Sequence, residues 1–195
     1  MDQVTNRSHG HVDAQLEQAT GRCGDWMQTF TGRAFWPLDP RAEDVCIEDI
    51  AHGLSMACRF GGHCRYFYSV AEHSVLVASQ VPPEFRLQAL LHDAAEAYLG
   101  DMVRPLKQGM PHYRQTEADV WGAIAQRFDV PFQLAPCIKA ADNLVLLAER
   151  DALLGEPPIP WHWSAGLLPA PVFILGRHPY HAKTMFLSAF KEYTA

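Results

Sequence analysis

The segment ALLHDAAEAYLGDMVRPLK, residues 89–107, constrains this chain more than any other. Its first half is rich in Ala, Leu, Glu and Tyr, with no proline before Pro105, and it reads as a helix. Into that apolar run the chain sets His92, Asp93 and Glu96. On a helix, residues three and four apart share a face, so all three side chains project the same way. Burying three ionisable groups among Leu90, Leu91 and Tyr98 is costly unless something pairs with them. A divalent cation is the most economical partner, because neutral imidazole and carboxylate are both good ligands. Gly100 ends the helix, and Asp101, Arg104 and Lys107 follow at its mouth. The segment reads as the floor and rim of a metal-dependent phosphate site.

A lone His-Asp pair is more often a surface pair or a satisfied core histidine. Two further segments change the balance. His73 lies in SVAEHSVLVA, nineteen residues upstream of His92, and Asp142 lies in IKAADNLVLLAERD, fifty residues downstream. Both sit among apolar residues on stretches that also read as helices. The order His … His-Asp … Asp, each element on its own helix, resembles the ligand pattern of the HD-domain phosphohydrolases. SVAEHS, LLHDAAEAYLGD followed by P-x-K, and KAAD are similar in finer detail to the bacterial 5′-deoxynucleotidases of the YfbR type, over about residues 58–150.

That resemblance implies an all-α HD-domain bundle in which His73, His92, Asp93 and Asp142 hold one divalent ion. Nitrogen and carboxylate ligands without thiolate suit manganese, cobalt, iron or zinc. Such an ion lowers the pKa of a bound water and neutralises phosphate charge, and four ligands leave positions open for water and a phosphoryl oxygen. Glu96, one turn beyond His92, is placed to handle a water or a leaving oxygen. Asp101 can orient water or sugar from the opposite side. In the resemblance, Glu96 and Asp101 match the two acidic catalytic positions. Arg59 and Phe60, in CRFGGH, match the family's Arg-aromatic pair after a one-residue gap, with Arg59 gripping phosphate in two places and Phe60 near the base. Lys107 matches the lysine after the proline and is a second phosphate contact.

The 195 residues fit one domain with appendages, and a makeup of 48% hydrophobic and 19% charged residues is that of a soluble globular chain. No apolar run is long enough for a membrane span, and the polar start MDQVTNRSHGHVDAQLEQ carries no signal-peptide core. A net charge of −6 argues against an extended nucleic-acid surface. Five cysteines without a C-x-x-C pair read as reduced cytosolic thiols. A cytoplasmic homo-oligomer is expected.

In chain order, residues 1–45 read as a loose polar arm over 1–25 followed by a possible short hairpin within 26–39. Residues 46–195 read as the HD-type domain, a bundle of about six helices. Ser69 and Glu72 form a capping box that starts the His73 helix, and the central helix is expected over about 83–99. Further helices are expected over about 48–58, 113–128, 134–154 and 180–193, and the Pro- and Trp-rich segment 156–177 as an ordered loop covering the core. The expected activity is phosphate release from deoxynucleoside 5′-monophosphates. The alternatives are tripolyphosphate release from a dNTP of the dATP type, as in the small phage-type HD proteins that this core also resembles, and a catalytically silent nucleotide-binding HD module.

Overall fold

The computed structural model describes residues 21–195. Most of the expected arm therefore falls outside the described residues. The part within them, 21–25, is not loose: Arg22 is buried, pairs with Asp44 and lies 4.3 Å over the Trp36 ring. The hairpin forms, with β1 (Met27–Gln28) antiparallel to β2 (Ala34–Phe35) and Met27 opposite Phe35. Its turn is fixed by Asp49, which accepts from the Thr31 N–H at 2.7 Å and from the Thr31 hydroxyl at 2.9 Å. Phe35 is fully buried and stacks on Tyr98, with ring centroids 3.8 Å apart. Packing thus runs without a break across residue 45.

The rest is all-α. Helices α1 (Ile47–Met56), α2 (Val70–Ser79), α3 (Arg86–Leu91), α4 (Glu96–Leu99), α5 (Arg104–Gln108), α6 (Pro111–Arg127), α7 (Pro136–Leu153) and α8 (Pro179–Tyr193) follow in order. The centre is α2, which packs against α1, α3, α7 and α8. Seven of its ten residues are buried, and a helix surrounded on all sides needs such a sequence. The Ser69 half of the capping box forms, accepting from the Glu72 N–H. The Glu72 half does not. Its buried carboxylate instead accepts from the Leu175 and Arg177 N–H groups, at 3.1 and 2.6 Å. A long-range contact has displaced the local one.

Two expectations need correction. The central helix is not continuous over 83–99: a 3-10 turn (Pro83–Phe85) leads into α3, and residues 92–95 form turns before α4. The His92 ring explains the break, because its Nδ1 lies 2.8 Å from the Ala89 carbonyl, the group a regular helix would give to the residue-93 N–H. The chain there tightens to three-residue bonds, Ala94 to Leu91 and Glu96 to Asp93, at 2.8 and 3.0 Å. This division and the short α5 raise the number of helices above the six expected. The second correction concerns 156–177, which covers the core only at Ala170 and Val172. Among its residues only Ala170 is buried, while Leu168 and Phe173 are more than 80% exposed. Its prolines deny it a helix, and it runs along the surface, held by Glu72 and by ring contacts of Trp161 with Arg150 and Trp163 with Arg104.

Helices α1 and α4 meet at Gly53, where a Cβ would lie 2.7 Å from the Ala97 carbonyl oxygen and 2.9 Å from its Cα. Both are backbone or near-backbone atoms, so the helices would have to part. Gly53→Ala is expected to destabilise the fold by about 1–3 kcal/mol despite the better helix propensity of alanine. Gly122→Ala, whose Cβ would make ordinary 3.7 Å contact with Phe132, is the control and should be neutral or stabilising. Urea unfolding of the two variants checks the contrast.

Candidate metal centre

The centre of the site is His73 of α2, which is fully buried. Its Nδ1 lies 2.6 Å from Glu149 Oε1 on α7. The Nδ1 of His92 is turned the same way to the Ala89 carbonyl. With both Nδ1 atoms engaged as donors, both Nε2 atoms are left as lone-pair donors, the form in which imidazole binds a metal. Both Nε2 atoms are buried and neither makes a hydrogen bond. They approach Asp93 Oδ2 at 3.5 Å from His73 and 3.2 Å from His92. His73, His92 and Asp93 thus offer three ligand atoms within 4.8 Å of one another. Asp142 stands beside them, its Oδ1 3.4 Å from His73 Nε2 and its Oδ2 2.6 Å from Lys139 Nζ. Orphaned, buried nitrogen atoms facing carboxylates fit a divalent cation.

The electrostatics point the same way. Burial and the Arg59 charge depress the His73 pKa, but Glu149 and Asp142 more than reverse this and lift it to about 9. Burial would raise Asp93 and Asp142, yet their imidazole neighbours hold both well below the usual carboxylate range. The cluster is short of positive charge, and without a metal a proton on His73 supplies it.

Glu149 was not foreseen. It is fully buried and ionised, with burial outweighed by Arg59, His73 and Tyr68. Besides His73, it accepts from the Tyr68 hydroxyl at 2.9 Å and from the Nε and Nη2 of Arg59, at 3.1 and 3.0 Å. The signal was present in the sequence, because Glu149 follows Asp142 by seven residues, two turns along one helix face. The contact with Arg59 corrects the expected two-point phosphate grip. The forked edge of the guanidinium belongs to Glu149, and Nη1 remains toward the site, 3.7 Å from Asp93 Oδ2. Phe60 stands 5.6 Å from that guanidinium in a left-handed conformation, φ 56°, costly for an aromatic residue and held by the Arg59 N–H to Tyr68 carbonyl bond beside it.

Glu96 and Lys107 come together in a cavity of about 340 Å³ that also takes in His92 and Asp93. Glu96 is buried, its Oε2 has no partner, and Lys107 Nζ lies 3.9 Å from Oε1. Burial first, then the charges of Asp93 and Asp101, push the Glu96 pKa well above the ordinary value. Asp101, after the left-handed Gly100 at φ 81°, is raised by burial. Lys107 is tied to Glu117 at 2.5 Å. Arg65 and Arg104 do not line the cavity, whereas Arg114, not singled out in the sequence, does.

No family model matches the chain. It is 36% identical over 168 residues to the uncharacterized protein YfdR of Escherichia coli K12, covering 86% of this chain and 94% of that protein. It is also 40% identical over 144 residues to an uncharacterized protein of Rhodobacter capsulatus, covering 67% of this chain and 74% of that protein.

Two measurements test the centre. Glu149→Gln removes the charge that orients and polarises His73, and metal affinity should fall about 10–100-fold by titration. The raised His73 pKa also has a sign. The metal-free fold holds this stabilisation fully below the unfolded value of 6.5 and loses it as pH rises through about 9. The melting temperature of chelator-treated protein should therefore fall over that window, and a metal, which must displace the His73 proton, should bind about tenfold more tightly for each pH unit of increase across it.

Proposed function

This chain belongs to the family of YfdR, and from its site we propose that it is an HD-type, metal-dependent phosphohydrolase releasing orthophosphate from deoxynucleoside 5′-monophosphates, with residues 46–195 as its HD-type domain. The observation that carries this reading is the pairing of two histidines, each presenting a buried, unpartnered Nε2 toward Asp93, with a carboxyl group, Glu96, whose pKa burial raises, in the cavity that His92 and Asp93 also line. His73, His92 and Asp93, with Asp142 as fourth ligand, would hold one divalent ion. Such an ion supplies charge against the phosphoryl oxygens and acidifies water.

The remaining chemistry belongs to the chain. Burial and its anionic neighbours raise the Glu96 pKa well above the ordinary value, which suits it to give a proton to the departing 5′-oxygen. Lys107 beside it offers a cation to a phosphoryl oxygen. Arg59 Nη1, on the other side of Asp93, offers a second. Asp101 lies within electrostatic reach of Arg59, Asp93 and His73, in position to orient water or sugar. A water-handling acid is superfluous in a silent nucleotide-binding module, so the enzyme reading is preferred.

The number of phosphates follows from the cations. A triphosphate tail carries about three further charges and needs several Lys or Arg contacts. Arg104 is stacked toward Trp163 with 6.0 Å to the ring centroid, and Lys107 already shares its charge with Glu117. That supports a monophosphate. Incubating metal-loaded protein with dAMP and with dATP, then resolving phosphate from tripolyphosphate, tests it: tripolyphosphate from dATP with dAMP untouched would overturn the monophosphate reading. Glu96→Gln should lower kcat about 10²–10⁴-fold with metal content unchanged. A variant that keeps half its kcat would remove Glu96 from the chemistry.

A further inference from the structure

The cavity that opens from His92 and Asp93 has a second half that the hydrolytic chemistry leaves unused. Its walls there are Trp121, Phe132, Leu134 and Ala118, with Arg114 at the rim. Trp121 is buried and its indole N–H donates to the Phe132 carbonyl at 2.7 Å, fixing one wall and joining α6 to the loop after it. The Phe132 ring lies 3.7 Å from the position a Cβ would take on Gly122 and is 59% exposed, so it presents a flat, accessible apolar face. Among the described residues, the Arg114 guanidinium has no hydrogen-bond or ion-pair partner.

The charge of this half decides what it can take. Asp93 and Glu117 are acidic, Lys107 is paired with Glu117, and Arg114 is the one uncommitted cation among the described lining residues. A polyphosphate would find too little positive charge here, whereas a flat ring finds an aromatic face and a guanidinium that can donate to it. We infer that this half of the cavity is a nucleobase subsite, in which the base of the substrate stacks on Phe132 against the Trp121 wall and Arg114 donates to its edge. The inference rests on the monophosphate reading, since Glu96 and Lys107 line the same cavity and would hold the phosphate end. It also moves base recognition from the Arg59–Phe60 loop to the start of the segment before α7.

Calorimetric binding separates this subsite from catalysis. Wild-type, Phe132→Ala and Arg114→Ala proteins, metal-loaded, are titrated with the four unphosphorylated deoxynucleosides and with deoxyribose 5-phosphate. Both side chains are exposed, and circular dichroism checks that the variants fold. The expected result is about a tenfold or greater loss of deoxynucleoside affinity in Phe132→Ala, a smaller loss in Arg114→Ala, and deoxyribose 5-phosphate binding unchanged within about twofold. Equal deoxynucleoside affinity in wild type and Phe132→Ala, or no measurable deoxynucleoside binding to wild type, overturns the subsite. Failure of the hydrolase reading shows up separately, as no phosphate release from any deoxynucleoside monophosphate, and leaves the binding comparison intact.

Discussion

The contact on which the rest depends is the 2.6 Å hydrogen bond between His73 Nδ1 and Glu149, both fully buried. A carboxylate taken out of water loses several kcal/mol of solvation on the order of magnitude usual for protein interiors. Here the loss is offset because each oxygen is used: Oε1 takes His73 and Tyr68, and Oε2 takes Arg59. Removing any partner leaves a buried charge partly bare, so α2, α7 and the Arg59 loop are tied into one unit. The same bond selects the His73 tautomer and aims Nε2 at Asp93. Stability and site geometry rest on the same atoms.

The second constraint is local. His92 turns its ring back onto the Ala89 carbonyl, and in doing so it both fixes its own orientation and takes the acceptor that a continuous helix would use. The tightened turn at 92–95 places Asp93 toward His73 while Glu96, at the start of α4, faces the cavity. Gly53 lets α1 approach α4 closely enough to hold this short helix against the core.

Much of this was legible in the chain. Helix positions follow from apolar spacing, the start of α2 from Ser69, and the end of α4 from Gly100. The gathering of His73, His92 and Asp93 was readable because polar residues in apolar runs demand partners. What was not legible depended on partners distant in sequence. Glu72 looked like a local cap but serves residues 175 and 177. Arg59 looked free for phosphate but is held by a carboxylate ninety residues away. Aromatic residues in 156–177 suggested a core cover, yet a rigid loop with five prolines leaves most of its side chains exposed. Local pattern constrains which groups need partners, not which partners they find.

Two buried glutamates bring out that difference most sharply. Glu149 and Glu96 are the same group, both inside the protein near the same three ligand side chains. Glu149 has a guanidinium, an imidazole and a phenol directed at it, which outweigh burial and keep it ionised. Glu96 has a lysine at 3.9 Å that is already committed elsewhere, an oxygen with no partner, and the like charges of Asp93 and Asp101 nearby. Burial therefore wins at Glu96 and its pKa is pushed up. Pairs of titratable groups driven apart by their surroundings mark a division between fixed charge and proton carrier. Here Glu149 is fully buried against His73 and Arg59, whereas Glu96 lines the cavity with His92 and Asp93, so the group with the raised pKa is the one that faces open space.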